Sequence, residues 1–281
     1  MNLVVVTGAR GLLGRALVIA FRAVGDRVVG LTHSDIDLEL PSSLERISEI
    51  HPDVVVNAAA WTDVDGCARD PERAMRINGT GAGLLADAAA RVGAAVVQLS
   101  TNEVFDGREA RPYAEDDAPN PVNPYGRAKL VGEQAVADAT DRHLVIRTAW
   151  LFNSERGFPA RIRTGAERAM AADEPLAVVA DEWGNPTPVS ALATAIVIAA
   201  QLISTTQVWR TVHLAGEPPI SRLGWAREVL ADLPVRLKPI SQAEYPRLSR
   251  VPPHAVLALD RARALGLPAI DWRLTTTHAA P

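Results

Sequence analysis

The chain has 281 residues, of which 48% are hydrophobic and 22% charged, and its formal net charge at neutral pH is -4. This composition is typical of a folded globular protein with a large core, and the acidic balance argues against nucleic acid or an anionic membrane as a partner. The single cysteine, Cys67, excludes an internal disulfide framework and a multi-cysteine metal site, and it fits a reducing cytoplasm.

Neither a secretion signal nor a membrane span is predicted. The apolar start is interrupted at once by Gly8-Ala-Arg-Gly11, and the longest apolar stretch, from Val189 to Ile203, is shorter than the roughly 20 residues that cross a bilayer. The six histidines show no metal-ligand spacing. We therefore expect a cytoplasmic protein without a metal site, and the sequence leaves open whether it is a monomer or a homodimer.

The first half of the chain alternates short apolar runs with alanine-rich helical stretches. The predicted strands are Leu3–Thr7, Arg27–Thr32, Val54–Asn57, Ala94–Ser100 and His143–Arg147. The predicted helices are Leu12–Ala23, Ser42–Glu49, Pro71–Val92, Pro124–Ala139 and Ala160–Ala172. This alternation is typical of an α/β fold with a doubly wound parallel (Rossmann) sheet covered by helices on both faces.

After Trp150 the alternation gives way to proline-rich sequence, which indicates a smaller, irregular C-terminal domain. The helical stretch from Val189 and the run Thr211–Leu214 are expected to return to the first domain. The predicted dinucleotide-binding domain is therefore residues 1–149 plus about 188–214. The predicted second domain, which binds the substrate, is about 150–187 plus 215–281.

The first predicted strand runs directly into a glycine-rich loop, Gly8-Ala-Arg-Gly11-Leu-Leu-Gly14. Gly8 permits a tight turn, Gly11 lets the backbone approach a pyrophosphate, and Gly14 lets helix and strand pack closely. The N-terminus of the following helix attracts negative charge. The position of this loop predicts a dinucleotide site, with a purely structural turn as the alternative.

The second predicted strand ends at Thr32-His33-Ser34, without the acidic residue that binds the ribose hydroxyls of NAD. Arg10, inside the glycine loop, is suited to neutralise a 2'-phosphate. The pattern therefore favours NADPH, with NADH as the alternative cofactor and a solvated surface arginine as the alternative role of Arg10. Asp37 and Leu38 are expected to lie beside the adenine.

Lys129 is one of two lysines in a chain with 27 arginines, and it stands four residues after Tyr125. Asn123 is a natural N-cap and Pro124 suits the first helical position, so the two side chains fall one helical turn apart. An ammonium beside a phenol stabilises the phenolate and lowers the tyrosine pKa from about 10 towards neutrality. The spacing therefore predicts an acid–base pair, with an exposed pair on an amphipathic helix as the alternative.

Four stretches in this order resemble the extended short-chain dehydrogenase/reductase family. They are Gly8-x-x-Gly11-x-x-Gly14, Asn57-Ala-Ala-Ala60, Ser100-Thr101 and Tyr125-x-x-x-Lys129. Four further stretches resemble its dTDP-4-dehydrorhamnose reductase branch: Ala60-Trp-Thr-Asp-Val-Asp65, Ser100-Thr-Asn-Glu-Val-Phe-Asp-Gly107, Arg147-Thr-Ala-Trp150 and Asp181-Glu-Trp-Gly-Asn-Pro-Thr187. The resemblance covers nearly the whole chain and is thinner beyond Pro188.

The resemblance implies an oxidoreductase that uses NADPH, or NADH, to reduce the 4-keto group of a dTDP-linked 4-keto-6-deoxyhexose in deoxysugar biosynthesis, such as that of dTDP-rhamnose. It implies that Thr101 hydrogen-bonds the substrate carbonyl, that Tyr125 gives it a proton, and that Lys129 holds the nicotinamide ribose. The implied cofactor contacts are Gly8, Arg10, Gly11, Leu12, Leu13, Gly14, Thr32, Asp37, Leu38, Ala59, Ala60, Trp61, Thr62, Tyr125 and Lys129. The implied substrate contacts are Val64, Thr101, Asn102, Glu103, Tyr125, Trp150, Asn185 and Thr187.

The fourth strand departs from the branch pattern, which usually reads Ser-Thr-Asp-Tyr-Val-Phe. This chain has Asn102 and Glu103 in the third and fourth places, and the resemblance places these positions towards the sugar. A carboxylate in place of a phenol changes both shape and hydrogen bonding, so a related 4-keto-6-deoxy sugar is an alternative substrate. An inert surface acid is the alternative interpretation of Glu103.

The sequence is compatible with more than one role for two of these residues and for the chain as a whole. Trp150 is expected to stack on the nucleotide base, with core packing as the alternative, and Thr101 has a strand-end hydroxyl as its alternative role. A sugar-nucleotide epimerase or dehydratase would share the tyrosine and lysine. A regulatory subunit that binds dinucleotide without turnover is the non-enzymatic alternative, although it would have no need of the intact Thr101, Tyr125 and Lys129.

Overall fold

Apolar runs pair into one six-stranded parallel sheet in the computed structural model of the protein, which describes residues 1–206 and 210–276. The strands are β1 (Leu3–Thr7), β2 (Arg27–Leu31), β3 (Val54–Asn57), β4 (Ala95–Thr101), β5 (His143–Thr148) and β10 (Thr211–His213). Their spatial order is β10-β5-β4-β3-β1-β2. The order of connection reverses between β1 and β3, which is where ligands bind in sheets of this type.

Helices connect the strands and continue beyond them. Their bounds are α1 (Leu12–Ala23), α2 (Glu45–Ile50), α3 (Val64–Arg69), α4 (Pro71–Ala74), α5 (Gly81–Arg91), α6 (Pro124–Ala139), α7 (Phe158–Ala171), α8 (Val189–Thr206), α9 (Arg222–Val229), α10 (Asp260–Ala264) and α11 (Arg273–Thr276). None of the helices in the described ranges is long and apolar enough to cross a membrane.

Alternating side chains of the strands build a hydrophobic core on each face of the sheet. In β1, Val4 and Val6 join a cluster with Leu17 of α1 and the apolar side of α8. Val5, between them, points to the other face and packs with Leu85 of α5 and with α2. Because successive residues of a strand point to opposite faces, a continuous run of valines fills both cores. The predicted doubly wound α/β class is confirmed.

The stretch predicted as one helix from Pro71 to Val92 differs from the prediction. It consists of α4, a π-helical segment (Met75–Thr80) and α5. The Asn78 side chain accepts a hydrogen bond from the Trp61 N–H at 2.8 Å and donates to the Trp61 carbonyl at 2.9 Å. This bridge to the loop after β3 accompanies the local widening of the helix.

Some further predicted boundaries differ by one or two residues, and some elements were not predicted. The stretch Ser42–Glu49 is a 3-10 turn (Pro41–Leu44) followed by α2, and β4 and β5 each extend one residue further than predicted. Helix α3 was not predicted. It is short, and the side chain of its N-cap residue, Asp63, accepts a hydrogen bond from the Gly66 N–H.

Eight short strands lie outside the main sheet and form four two-stranded pairs. These are β6 (Leu151–Phe152) with β9 (Thr187–Pro188), β7 (Leu176–Val179) with β13 (Leu237–Ile240), β8 (Trp183–Gly184) with β12 (Ile220–Ser221), and β11 (Gly216–Glu217) with β14 (Ile270–Asp271). Residues of β6, β7, β12, β13, α7 and α9 contribute to a core around Trp225 and Trp272. Residues 277–281 of the predicted second domain lie outside the described residues.

Gly132 sets how closely α6 approaches the π-helical segment. A methyl group at this position would lie 2.2 Å from the Asn78 carbonyl oxygen, which is backbone and cannot move aside cheaply. We predict that Gly132→Ala lowers the free energy of unfolding by roughly 2 kcal/mol or more, because overpacking forces the two elements apart. Urea denaturation followed by circular dichroism measures the change.

Gly165, in the interior of α7, provides the matched control. A methyl group there meets the end of the flexible Leu176 side chain at 3.3 Å, so Gly165→Ala should be neutral or raise the free energy of unfolding by up to about 1 kcal/mol. Equal effects of the two substitutions would contradict the role assigned to Gly132.

Candidate active site

A cleft of about 550 Å³ opens beyond the carboxyl ends of β1 and β3. Nine of the predicted cofactor residues line it: Gly8, Arg10, Gly11, Thr32, Asp37, Leu38, Ala59, Ala60 and Trp61. It is lined in addition by six residues that were not predicted: His33, Ser34, Ile36, Ala58, Arg73 and Ile77. His33, Ser34, Ile36 and Ala58 are sequence neighbours of predicted cofactor residues. No such neighbour indicated Arg73 and Ile77, which reach the cleft from α4 and the π-helical segment.

The glycine loop has the close backbone contacts that a dinucleotide site requires. Gly8 has a φ of +64°, and a side chain there would lie 2.7 Å from the Ala58 carbonyl oxygen. At Gly14 a methyl group would lie 2.1 Å from the Gly8 carbonyl oxygen. No side chain caps the start of α1 in the described loop, where Gly11 is the N-cap, so the helix N-terminus is open to an anion. The residues therefore fit a dinucleotide pyrophosphate.

The end of β2 faces the same cleft. The Asp35 carboxylate accepts hydrogen bonds from the Thr32 N–H and hydroxyl at 2.8 and 2.7 Å, and these bonds hold the pKa of Asp35 below its usual value, with a smaller contribution from the field of Arg10. The Arg10 guanidinium is exposed at the rim. The Arg10 side chain and the Thr32 and Ser34 hydroxyl groups thus line this end of the cleft, with the Asp35 carboxylate bonded to Thr32.

Several predicted cofactor residues lie outside the lining of this cleft. The Leu13 side chain is buried in the core, so Leu13 could reach a ligand only through its backbone. Leu12 packs against the same core, and Thr62 is exposed. The cofactor contacts of these residues stay predictions.

Thr101, Tyr125 and Lys129 lie where β4 ends and α6 begins. Thr101 is the last residue of β4, and its hydroxyl accepts a hydrogen bond from the Glu103 N–H at 3.2 Å. Asn123 caps α6 as predicted, because its side-chain oxygen accepts a hydrogen bond from the Gly126 N–H at 2.7 Å. This cap fixes the first turn of α6 and with it the half-buried Tyr125.

Lys129 is buried, with 3% of its surface exposed, so the exposed-pair interpretation is wrong. Its ammonium nitrogen donates a hydrogen bond to the Leu99 carbonyl oxygen at 2.6 Å. Burial lowers the pKa of Lys129 to about 8, and the negative field of Glu133 opposes this decrease. The amine is therefore mainly charged at pH 7 and close to its titration range.

Tyr125 differs from the expectation that a neighbouring lysine lowers its pKa. Burial raises the pKa of Tyr125 above its usual value, and the field of Glu103 raises it further, whereas a hydrogen bond with Thr101 acts in the opposite direction. The resting side chain is therefore a neutral phenol at physiological pH. Such a group can donate a proton to an oxygen on which negative charge develops.

Glu103 follows Thr101 at the end of β4, and its carboxyl group has a partner within the protein, which does not fit an inert surface acid. It is half-buried, and its carboxylate accepts a hydrogen bond from the Asn123 side-chain amide at 2.6 Å. Burial raises the pKa of Glu103 to about 7, the bond from Asn123 opposes this, and the field of Glu182 adds to it. An acid in this position titrates near physiological pH.

Trp150 has a left-handed backbone conformation, with a φ of +47°, and its ring is already stacked. The Arg222 guanidinium lies over it at 3.5 Å from the ring centroid, and the Trp225 ring is nearly parallel to it at 5.8 Å. Arg222 also forms a 3.0 Å ion pair with Glu182. A nucleotide base could stack only on ring surface that these groups leave open, so base stacking stays a prediction.

Three predicted substrate contacts use their polar atoms within the protein. The Asn102 amide donates to the Ala255 carbonyl at 2.9 Å. Asn185 is buried, donates to the Gly216 carbonyl at 2.9 Å and accepts from the Leu257 N–H at 2.9 Å. The Thr187 hydroxyl donates to the Asn185 carbonyl at 2.9 Å. These bonds hold the three side chains within the protein, and direct sugar contacts by these residues, as by Val64 at the start of α3, stay predictions.

The parallel sheet, the glycine loop and the Tyr125–Lys129 arrangement define a protein of the extended short-chain dehydrogenase/reductase class. Residues 1–280 match the model of the RmlD substrate binding domain family, and the chain belongs to that family. The resemblance inferred from the sequence motifs is thereby confirmed.

Similar proteins cover nearly the whole chain. A dTDP-4-dehydrorhamnose reductase of Mycobacterium tuberculosis is 39% identical, over 99% of this chain and 92% of that protein. A dTDP-4-keto-6-deoxy-D-glucose reductase of Streptomyces niveus is 35% identical, over 98% and 96%. The crystal structure of a Bacillus anthracis dTDP-4-dehydrorhamnose reductase in complex with NADP has a TM-score of 0.87 and 28% identity, over 98% and 97%.

The pKa of Glu103 predicts a specific pH dependence of stability. In the unfolded chain a glutamate loses its proton near pH 4.5, and in the folded protein Glu103 does so near pH 7. Between these values the unfolded state binds fewer protons, so this residue lowers stability as the pH rises. Glu103→Gln should remove that loss, on the order of 3 kcal/mol, between pH 4.5 and 7.5.

Urea denaturation at these two pH values measures the difference between Glu103→Gln and the wild type. Glu109→Gln, at an exposed position six residues further on, is the matched control and should keep the wild-type dependence. A Glu103→Gln protein with the same decrease in stability as the wild type would contradict the assigned pKa.

Proposed function

We propose that the protein uses NADPH to reduce the 4-keto group of a dTDP-linked 4-keto-6-deoxyhexose in the cytoplasm, as a step of deoxysugar biosynthesis. The observation that carries this proposal is a neutral Tyr125 phenol, beside Thr101 and a buried Lys129 ammonium, next to a cleft that fits a dinucleotide. Relatives at 39% and 35% identity are named as reductases of dTDP-linked 4-keto sugars, and the structure of an NADP complex supports the choice of cofactor.

Each of the three residues has a separate task in this proposal. NADPH, when bound, would supply the hydride for the ketone carbon. Thr101 and Tyr125 donate hydrogen bonds to the carbonyl oxygen, and Tyr125 then transfers its proton to that oxygen. Lys129 would hold the nicotinamide ribose, and its positive charge would stabilise the phenolate that remains.

We divide the chain into two domains that have separate tasks in the proposed reaction. We assign dinucleotide binding to residues 1–149 and about 188–214, because β10 is a strand of the main sheet and α8 packs against α1. We assign the sugar nucleotide to about 150–187 and to the chain from 215 onwards. The core around Trp225, separate from the two cores of the main sheet, supports this assignment.

The identity of the sugar depends on Glu103. We propose dTDP-4-dehydrorhamnose as the leading substrate, because most of the site motifs follow that branch, and a related 4-keto-6-deoxy sugar as the alternative. The half-buried Glu103, held by Asn123 beside Tyr125, favours this alternative, since a carboxyl group replaces the phenol of the branch. No role in binding nucleic acid or membranes is proposed.

The proposal is tested by NADPH oxidation, followed at 340 nm, with a panel of dTDP-linked 4-keto-6-deoxy sugars. Stoichiometric oxidation with at least one sugar, and a reduced product identified by mass spectrometry, is the expected result. Tight NADPH binding without turnover on any nucleotide-linked ketone would favour a regulatory subunit. Conversion of the sugar without net NADPH consumption would favour an epimerase or dehydratase.

The role of Tyr125 gives a separate prediction. Tyr125→Phe removes the proton donor and leaves the ring, so kcat should fall roughly 10²-fold or more. The Kd for NADPH, measured by quenching of protein fluorescence, should stay within about threefold of the wild-type value. Unchanged turnover would contradict the role, whereas lost NADPH binding would show that the phenol supports the cleft.

The location of Arg10 predicts the cofactor preference. Arg10→Ala should raise the Kd for NADPH about 10-fold or more, as expected for the loss of one charge-assisted contact to the 2'-phosphate, and leave the Kd for NADH within about twofold. Arg15→Ala, exposed on α1, is the matched control. Equal losses for both cofactors would contradict recognition of the phosphate by Arg10.

A further inference from the structure

Three residues of α6 at four-residue intervals form one stripe against β4. Tyr125 interacts with the Thr101 side chain, Lys129 donates to the Leu99 carbonyl, and Glu133 accepts a hydrogen bond from the Ser100 hydroxyl. Three consecutive residues of β4 therefore hold three consecutive turns of α6. The proposed function uses the first two turns, and it gives no task to Glu133.

Glu133 is a buried carboxylate with strong partners. Its side chain is 7% exposed, and that of Arg147 on β5 is 5% exposed. The Arg147 guanidinium donates to both carboxylate oxygens, at 3.0 and 3.2 Å from Nε and at 2.7 Å from Nη2. Arg147 also lies over the Phe105 ring at 5.1 Å. Bidentate geometry fixes the carboxylate in one position.

The other titratable groups around this stripe act elsewhere. Glu103 and Cys67 act on Tyr125. Glu115 accepts a hydrogen bond from the His213 N–H at 2.9 Å and lies 3.9 Å from Arg261. Burial lowers the pKa of His213 to about 3, so its side chain is neutral. Glu133 is the group whose negative field acts on Lys129.

We propose that Glu133 is a positioning residue of the reductase site, which holds the Lys129 side chain as an ammonium ion, while Arg147 limits how strongly Glu133 does so. The carboxylate offsets the cost of keeping a buried charge on Lys129. Arg147 in turn neutralises part of Glu133, so the ammonium stays available to a ligand instead of closing into an ion pair with Glu133. The proposal rests on the proposed function only in giving that ammonium a task.

The scarcity of lysine makes a direct test feasible. The chain has two lysines, Lys129 and the exposed Lys238 on β13. In full-length protein labelled with ¹³C at the lysine ε-carbons, a pH titration by NMR gives one curve for each. Lys238→Arg assigns the two signals and should leave the Lys129 curve unchanged. In the wild type, the Lys129 midpoint is expected near pH 8.

Two variants should move this midpoint in opposite directions. Glu133→Gln removes the negative charge about one helical turn from Lys129 and leaves Arg147, so the midpoint should fall by about one pH unit or more. Arg147→Met leaves Glu133 without its counterion, so the midpoint should rise by a similar amount. Ser100→Ala, which removes a neutral partner of Glu133, is the matched control and should keep the midpoint close to that of the wild type.

Opposite shifts are the supporting result, and shifts in the same direction, or none beyond about 0.3 unit, would overturn the proposal. If a single variant does not fold, the double variant Glu133→Gln with Arg147→Met removes the buried pair as a whole. Its midpoint should then lie between the values expected for the two single variants, and a midpoint outside that range would overturn the proposal.

The result of this titration can be distinguished from a test of the proposed function. The titration needs neither cofactor nor substrate, so opposite shifts in a protein without reductase activity would refute the function and leave the role of Glu133 in place. If the wild type is fully active and the variants lack these shifts, the function stands and the role of Glu133 is refuted. With both in place, the alkaline limb of the pH profile of kcat should move by the same amount and in the same direction as each midpoint.

Discussion

The close approach of α6 to the carboxyl end of β4 is the constraint on which the rest of the site depends. A glycine makes this approach possible, because a methyl group at Gly126 would lie 2.1 Å from the carbonyl oxygen of Glu103, just after β4. Gly132 allows a similarly close contact of α6 with the π-helical segment, where a methyl group would lie 2.2 Å from the Asn78 carbonyl oxygen. With the backbones this near, Lys129 reaches the Leu99 carbonyl and Tyr125 reaches Thr101. The reactive groups are positioned by main-chain contacts, which are stiffer than contacts between long side chains.

Burial affects the two ionisable groups beside Tyr125 in opposite directions. It raises the pKa of Glu103 to about 7 and lowers that of Lys129 to about 8, because the charged form of either group loses hydration. Burial raises the pKa of Tyr125 as well, so its phenol stays protonated at neutral pH.

Local patterns were sufficient to predict the sheet, the glycine loop and the first turn of α6. Continuous valine runs, three spaced glycines and the Asn123-Pro124 cap act within a few residues of themselves. The stacking of Arg222 on Trp150 could not be predicted, since it joins residues far apart in the chain. The high pKa of Tyr125 could not be predicted either, because it depends on how deeply folding buries the phenol and on where it places Glu103.

The unequal exposure of the two lysines has a practical consequence for labelling and immobilisation. Amine-directed reagents need an accessible, uncharged amine, and the Lys129 amine is buried and mainly charged at neutral pH. Such reagents therefore reach the exposed Lys238 side chain. A fluorophore or a surface attached through amines leaves the pocket free, so the protein can be studied on a sensor chip in its working form.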